Sequence, residues 1–171
     1  MAFPYYKRRL DGKTKARLLG AEPISCPTLT EGEYRYDYGD EAKMTPQMMM
    51  YTLGHNFVPP GIHAGGLRYH GDSPLLSALV HAGEIEATAV AQADCFKYAL
   101  LFGRAEAMLP APESSHAIAA AVAEARDAAE KGEARTILFG LSGHGFLDLA
   151  AYDAYNQGKL QDFDFKTGAI K

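Results

Sequence analysis

The feature that most constrains this chain is an alternation of apolar runs and capped helical segments through its second half. Ser73-Pro74 joins an N-cap residue to proline at the first helical position and predicts a helix to Ala82, stopped by Gly83. EIEATAVAQ (Glu84–Gln92) reads as a strand, Asp94 as the cap of a helix reaching about Ala107, and MLPAPES as a turn. An alanine-rich helix from about Ser114 to Lys131, closed by Gly132, leads into RTILFGL (Arg135–Leu141). That run is nearly all apolar, as in a strand buried on both faces. SGHG then opens a last helix through Leu147 and Ala150. Strands alternating with helices imply an α/β fold, a parallel sheet with crossover helices. Ligands in such folds gather beyond the carboxyl ends of the strands, where Gly20–Glu22 and Leu141–Gly145 both stand.

The first half is less regular. Phe3 to Leu10 predicts a helix ended by Gly12, and KARLLGAEP (Lys15–Pro23) a strand. Tyr34, Tyr36 and Tyr38 alternate with Glu33, Arg35 and Asp37, which fits an extended segment with one face of rings. Thr45-Pro46 reads as a cap and first turn, so QMMMYTLG is expected to be a helix. Its three consecutive methionines read as gap-filling core. GHNFVPPGIHAGGLRYHGD (54–72) carries five Gly and two Pro and is a long loop of the functional kind.

Composition narrows the function classes. A net charge of −4 argues against a broad basic face for nucleic acid. No apolar run approaches the ~18–20 residues of a membrane helix. The basic start, MAFPYYKRRLDGKTK, lacks the apolar core of a signal peptide. Cys26 and Cys95 form no CxxC and read as free thiols in a cytoplasmic protein. There is no internal repeat and no linker, so the whole span 1–171 is expected to be one partial α/β domain with no second domain.

Three stretches could carry chemistry. In FGLSGHG (139–145) the glycines let the backbone approach a ligand, and Ser142 can cap a helix, meet a cofactor or act as a nucleophile. A hydrolase elbow, G-x-S-x-G, fails at His144. In PAPESSHA (110–117) Glu113 stands at a helix start, either as a cap or as an acid–base group against a ligand. In IHAGGLRYHG (62–71) Gly65-Gly66 could cradle an anion and Arg68 clamp a carboxylate or phosphate. His63 and His70, seven residues apart, have no transition-metal spacing.

Together and in this order, these stretches resemble the tryptophan synthase beta family, in its second, longer subfamily. The resemblance rests on LLGAEPISCPTLTEGEYRYDYGD (18–40), YTLGHNFVPPGIHAGGLRYHGDSPLLS (51–77), PAPESSHAIA (110–119) and FGLSGHGFLDL (139–149). It implies a fold-type II pyridoxal 5'-phosphate enzyme, a lyase of tryptophan biosynthesis that replaces the hydroxyl of L-serine with indole. Residue by residue, it places Ser142 at the cofactor's pyridine nitrogen with Gly143 beside it. Glu113 falls beside the phenolic oxygen and Gly66 behind the ring. Leu67 and Tyr69 fall where backbone carbonyls bind a monovalent cation, and Arg68 where a substrate-closing residue stands. A homodimer and an alpha-chain partner follow from the same likeness.

The resemblance covers only the C-terminal part of the family's chain. None of the nine lysines stands in the His-Lys context of the Schiff-base lysine. The phosphate-binding glycine loop should directly precede AFPYY, although the sequence runs Met1-Ala2-Phe3. The expectation is an incomplete chain, inactive alone, that needs a complementing N-terminal fragment. A non-catalytic remnant or interaction module is the alternative, and a serine hydrolase using Ser142 with His144 or His116 and Glu113 a remote one.

Overall fold

The computed structural model describes residues 2–166 and the backbone of 169–170, so the expectation attached to Met1 lies outside the described residues. In order, the elements are α1 (Ala2–Leu10), β1 (Leu19–Pro23), α2 (Thr28–Glu31), β2 (Glu33–Tyr38) and β3 (Gln47–Thr52). There follow α3 (Pro74–His81), β4 (Glu86–Val90), α4 (Gln92–Glu106), α5 (Pro112–Lys131) and α6 (Leu149–Asn156). A short pair, β5 (Phe163–Asp164) and β6 (Ala169–Ile170), completes them. The fold is α/β: β1 and β4 pair in parallel, Leu19 opposite Glu86 through Pro23 opposite Val90. The other two pairs, β2 with β3 and β5 with β6, are antiparallel.

The capping signals locate their helices. The Ser73 hydroxyl accepts from Leu76 N at 3.3 Å at the start of α3, and Gly83 beyond its end has φ +72°. Gly132 closes α5 at φ +65°, a left-handed position that a Cβ would strain. Asp94 is not the cap of α4. Ala91 is, and Asp94 lies in the first turn, where its charge still opposes the helix dipole.

The last helix, α6, begins at Leu149, SGHG leading only into a 3-10 turn at Gly145–Leu147, and two larger readings also need correction. Residues 47–52 form a strand rather than a helix, pairing with β2 over its full length, Tyr34 opposite Tyr51 and Tyr36 opposite Met49. The alternating β2 offers a ready ladder, and an isolated helix of that length would gain no comparable backbone pairing. On the strand Met48 and Met50 share one face, with Met49 on the other, and burial grows along it: Met48 near the start is exposed and Met50 is buried.

The second correction is Arg135–Leu141, which forms no strand. No ladder partner lies beside it among the described residues, and Ile137, Leu138 and Leu141 are exposed. Its foothold is Phe139, edge-on to Phe102 of α4 at 5.8 Å. Arg135 adds ion pairs to Glu124 and Asp127 of α5.

The buried apolar cluster lies between α4 and α6. Phe96, Ala99, Ala151 and Tyr152 form it, with the Phe96 and Tyr152 rings edge-to-face at 4.9 Å. Phe96 is 1% exposed, so Phe96→Ala is expected to cost about 3–5 kcal/mol, read from denaturant unfolding. A loss below about 1 kcal/mol would show that this cluster does not hold the helices together.

Candidate functional site

The candidate site is assembled on the first turn of α5. Pro110 and Pro112 stiffen the approach, and Ala111 is the N-cap with extended backbone at φ −65°, ψ 150°. Glu113 is therefore not a cap. It lies in the first turn, and its Oε1 accepts from Gly66 N at 3.0 Å across the 54–72 loop. A Cβ on Gly66 would sit 3.5 Å from Glu113 Cγ, an ordinary contact, so the glycine leaves one face of the backbone open beside the carboxylate.

On the other side, Ser114 reaches the 139–145 segment. Ser142 N donates to Ser114 Oγ at 3.0 Å, and the two hydroxyls lie 3.1 Å apart. Ala111 N donates to Gly143 O at 3.0 Å, and Gly145 N to Leu109 O at 2.7 Å. The Tyr152 hydroxyl donates to Pro110 O at 2.6 Å. A Cβ at Gly145 would meet Pro110 O at 2.6 Å and the Tyr152 ring at 2.9 Å, so this close approach requires glycine. Ser142 does not cap the following turn. His144 does, its Nδ1 accepting from Phe146 N at 3.3 Å.

Of the residues singled out in the sequence, Gly66, Glu113, Ser142 and Gly143 thus converge on one helix start. Leu67 ends a single 3-10 turn, Gly65–Leu67, and Tyr69 follows it, its phenol pushed up by burial and by Asp72, Glu22 and Cys26. Arg68 stands apart: its guanidinium donates to Pro59 O at 3.1 Å and touches neither Glu113 nor Ser142. No histidine bonds Ser142. His116 is buried with Nδ1 2.9 Å from Pro112 O, and burial pulls its pKa down. The hydrolase arrangement is therefore not formed. Among the described residues no group of three or more His, Cys, Asp or Glu could hold a metal ion. Cys26 and Cys95 are buried free thiols, each pushed up by burial.

Sequence reasoning missed Ser114, and it missed what fastens the loop. Asp37, 1% exposed, accepts from Thr52 Oγ1 at 2.7 Å and pairs with His55 Nδ1 at 2.6 Å. His70 Nε2 meets Tyr38 O at 2.8 Å, so histidines near both ends of the loop hang on adjacent β2 residues. The alternation in β2 gave the face of Asp37 but not its partners.

Comparison with curated proteins fits these motifs. The chain is 56% identical over 157 residues to "Tryptophan synthase beta chain 2" of Methanosarcina mazei, covering 92% of this chain and 36% of that protein. The protein of the same name in Aquifex aeolicus is 53% identical over 165 residues, 95% and 38% of the two lengths. "Tryptophan synthase beta chain" of Pyrococcus horikoshii is 49% identical over 164 residues, 96% and 36%. By sequence, nearly the whole chain matches part of the tryptophan synthase beta chain. It spans little more than a third of the length of these tryptophan synthase beta relatives. No protein-family model matches it. No described helix is long and apolar enough to cross a membrane.

Two outcomes check this geometry. Ser114→Ala should speed amide exchange at Ser142 and cost about 1 kcal/mol, the value of one hydrogen bond, and unchanged exchange would contradict the contact. For Asp37, burial raises the carboxyl pKa, but the bonds from Thr52, His55 and Tyr38 N, with Arg35 nearby, outweigh it and hold the pKa at about 2 instead of 3.8. Its stabilisation is present above the unfolded value and lost as pH falls from about 4 towards 2. Asp37→Asn should flatten that acid limb in pH-dependent unfolding.

Proposed function

We propose that this chain carries the ring-side half of a pyridoxal 5'-phosphate site. The reaction it would serve is that of its relatives, the condensation of L-serine with indole to L-tryptophan. On this reading the domain is a partial cofactor-binding unit of the fold-type II class. The observation that carries it is the convergence of Gly66, Glu113, Ser142 and Gly143 on the first turn of α5.

The residues fit the group by their chemistry. An exposed hydroxyl, a carboxylate oriented by a backbone N–H and a glycine with an open face are what a flat, polar-edged ring requires. When bound, the cofactor would supply an electron sink at the amino acid's α-carbon. Ser142 would face the pyridine nitrogen. Being a hydroxyl, it need not keep that nitrogen protonated, which tempers the sink and favours loss of the β-hydroxyl over transamination. Gly66 N holds Glu113 Oε1 in place, and the neighbouring carboxylate would meet the phenolic oxygen. Gly143 lets the chain pass close to Ala111, where a Cβ would lie 3.0 Å from the alanine's own. Leu67 and Tyr69 would offer carbonyls to a monovalent cation. Arg68, exposed at the loop surface, would swing to the substrate rather than sit preformed against it.

The principal anchors of the cofactor are a lysine and a phosphate loop. No described lysine reaches Glu113 or Ser142: those with charged partners pair with Asp11, Asp94, Asp127 and Glu31. The exposed, unladdered run Arg135–Leu141 is where additional strands would pack, supplied by a complementing N-terminal part of a beta chain. A homodimer and association with an alpha chain belong to that assembled protein. The same exposed run supports a second reading, a non-catalytic module that folds against a partner.

The test is tryptophan formation from serine and indole by the purified chain, alone and co-expressed with the preceding part of a beta chain. No turnover alone and turnover on co-expression, lost with Glu113→Ala, is expected. Robust turnover by the chain alone would overturn the incomplete-site reading. Stable pairing without turnover would favour the non-catalytic module.

A further inference from the structure

Two carboxyl groups are buried on either side of one hydroxyl, and among the described residues no cation pairs with either. Glu22, at the carboxyl end of β1, is 2% exposed, and Asp72, at the end of the 54–72 loop, is 9% exposed. Between them Thr28, fully buried, places its Oγ1 3.2 Å from Glu22 Oε2 and 3.2 Å from Asp72 Oδ2. A threonine hydroxyl has one proton and can donate to only one of these oxygens. The other contact is a hydrogen bond only if that carboxyl brings a proton of its own.

The remaining donors decide which one does. Glu22 accepts from Leu29 N at 2.9 Å, Thr30 N at 2.9 Å and Thr30 Oγ1 at 2.6 Å, a set that suits a carboxylate. Asp72 accepts otherwise only from Ser73 N, and on its other oxygen, so Oδ2 faces Thr28 alone. We propose that Asp72 keeps its carboxyl proton at neutral pH and donates it to Thr28 Oγ1, which donates in turn to ionised Glu22. In that protonated form, and only in it, the relay fastens the base of the 54–72 loop to the end of β1.

The surroundings agree. Tyr69 and Cys26 face the pair as neutral groups, and Arg68 is engaged with Pro59 O. β3 brings no charged residue, and Glu86 of β4 is paired with Arg17. On α5, Glu113 accepts from Gly66 N and Glu124 pairs with Arg17 and Arg135, while His81 of α3 stacks on Tyr34. Burial pushes both carboxyls above their ordinary values. Besides Thr28, three donors offset burial at Glu22 and one at Asp72, and the geometry places the proton on Asp72. A raised acid pKa makes the latch complete at low pH and loses it as pH rises through the folded value, when the proton leaves to solvent and two anions face one hydroxyl. The loop so released carries Gly66, Arg68 and Tyr69. This inference does not depend on the cofactor reading.

The test is carbon-13 NMR of the side-chain carboxyls of the wild-type chain, with amide protection at Leu53 and Asp72, the backbone bonds that close the loop. Asp72 should keep a carboxylic-acid shift through the range around pH 4 in which an unperturbed carboxyl ionises. Above its own titration, protection of both amides should fall by about tenfold per pH unit. Asp72→Asn keeps a donor to Thr28 and should match wild type at neutral pH while abolishing the alkaline fall. Thr28→Val breaks the relay and should lose protection at every pH. Titration of Asp72 around pH 4, as for an unperturbed carboxyl, would overturn the proposal, as would an Asp72→Asn chain as weakened as Thr28→Val.

Discussion

The turn that opens α5 is the interaction on which the site depends. Its helix is the longest in the chain and buries Pro112, Ser114, Ser115 and His116 at its start. A helix start exposes N–H groups without intrahelical partners and carries a partial positive charge, so an acidic residue is stabilised there. Glu113 uses that place and extends its carboxylate to Gly66. Ser114, one residue on, turns to the opposite side and takes Ser142. One turn of backbone therefore fixes two segments that lie 47 and 28 residues away in sequence.

The two segments are held differently. The 142–145 stretch is tied by backbone bonds to Leu109 and Ala111 and pressed against Tyr152, so its position follows from packing between α4 and α6. The 54–72 loop is closed by backbone bonds from Leu53 N to His70 O and from Asp72 N to Tyr51 O, and is held besides by side chains, Asp37 and His55 near its start and His70 and Asp72 at its end. Side-chain anchors answer to protonation in a way that backbone ladders do not. On the proposed reading, such a scaffold would hold the ring contacts through backbone bonds and tie the 54–72 loop in part through titratable groups.

Where the chain signals structure locally, the sequence was legible. Ser73-Pro74, Gly83 and Gly132 bound their helices, and the tyrosine alternation of β2 found its strand. The methionine strand was misread because Thr45-Pro46 imitates a helix start, while the deciding partner, β2, lies in a separate segment. Arg135–Leu141 carries a buried strand's composition, but composition records what a segment needs, not what lies beside it. The motif glycines, Glu113 and Ser142 stand out by their places at helix starts and glycine-rich turns, and the resemblance adds the roles expected of them. Ser114 and Asp72 do not, because a hydroxyl and a carboxyl become meaningful only once distant segments meet.

The central claim is that the start of α5 gathers a ring-binding surface from three separated segments. Amide chemical-shift mapping of the chain with pyridoxal 5'-phosphate tests it most directly. The account predicts weak binding, with shifts concentrated at Gly66, Glu113, Ser142 and Gly143 and removed by Ser142→Ala. Shifts confined to lysine-rich surfaces, unchanged by Ser142→Ala, would contradict it.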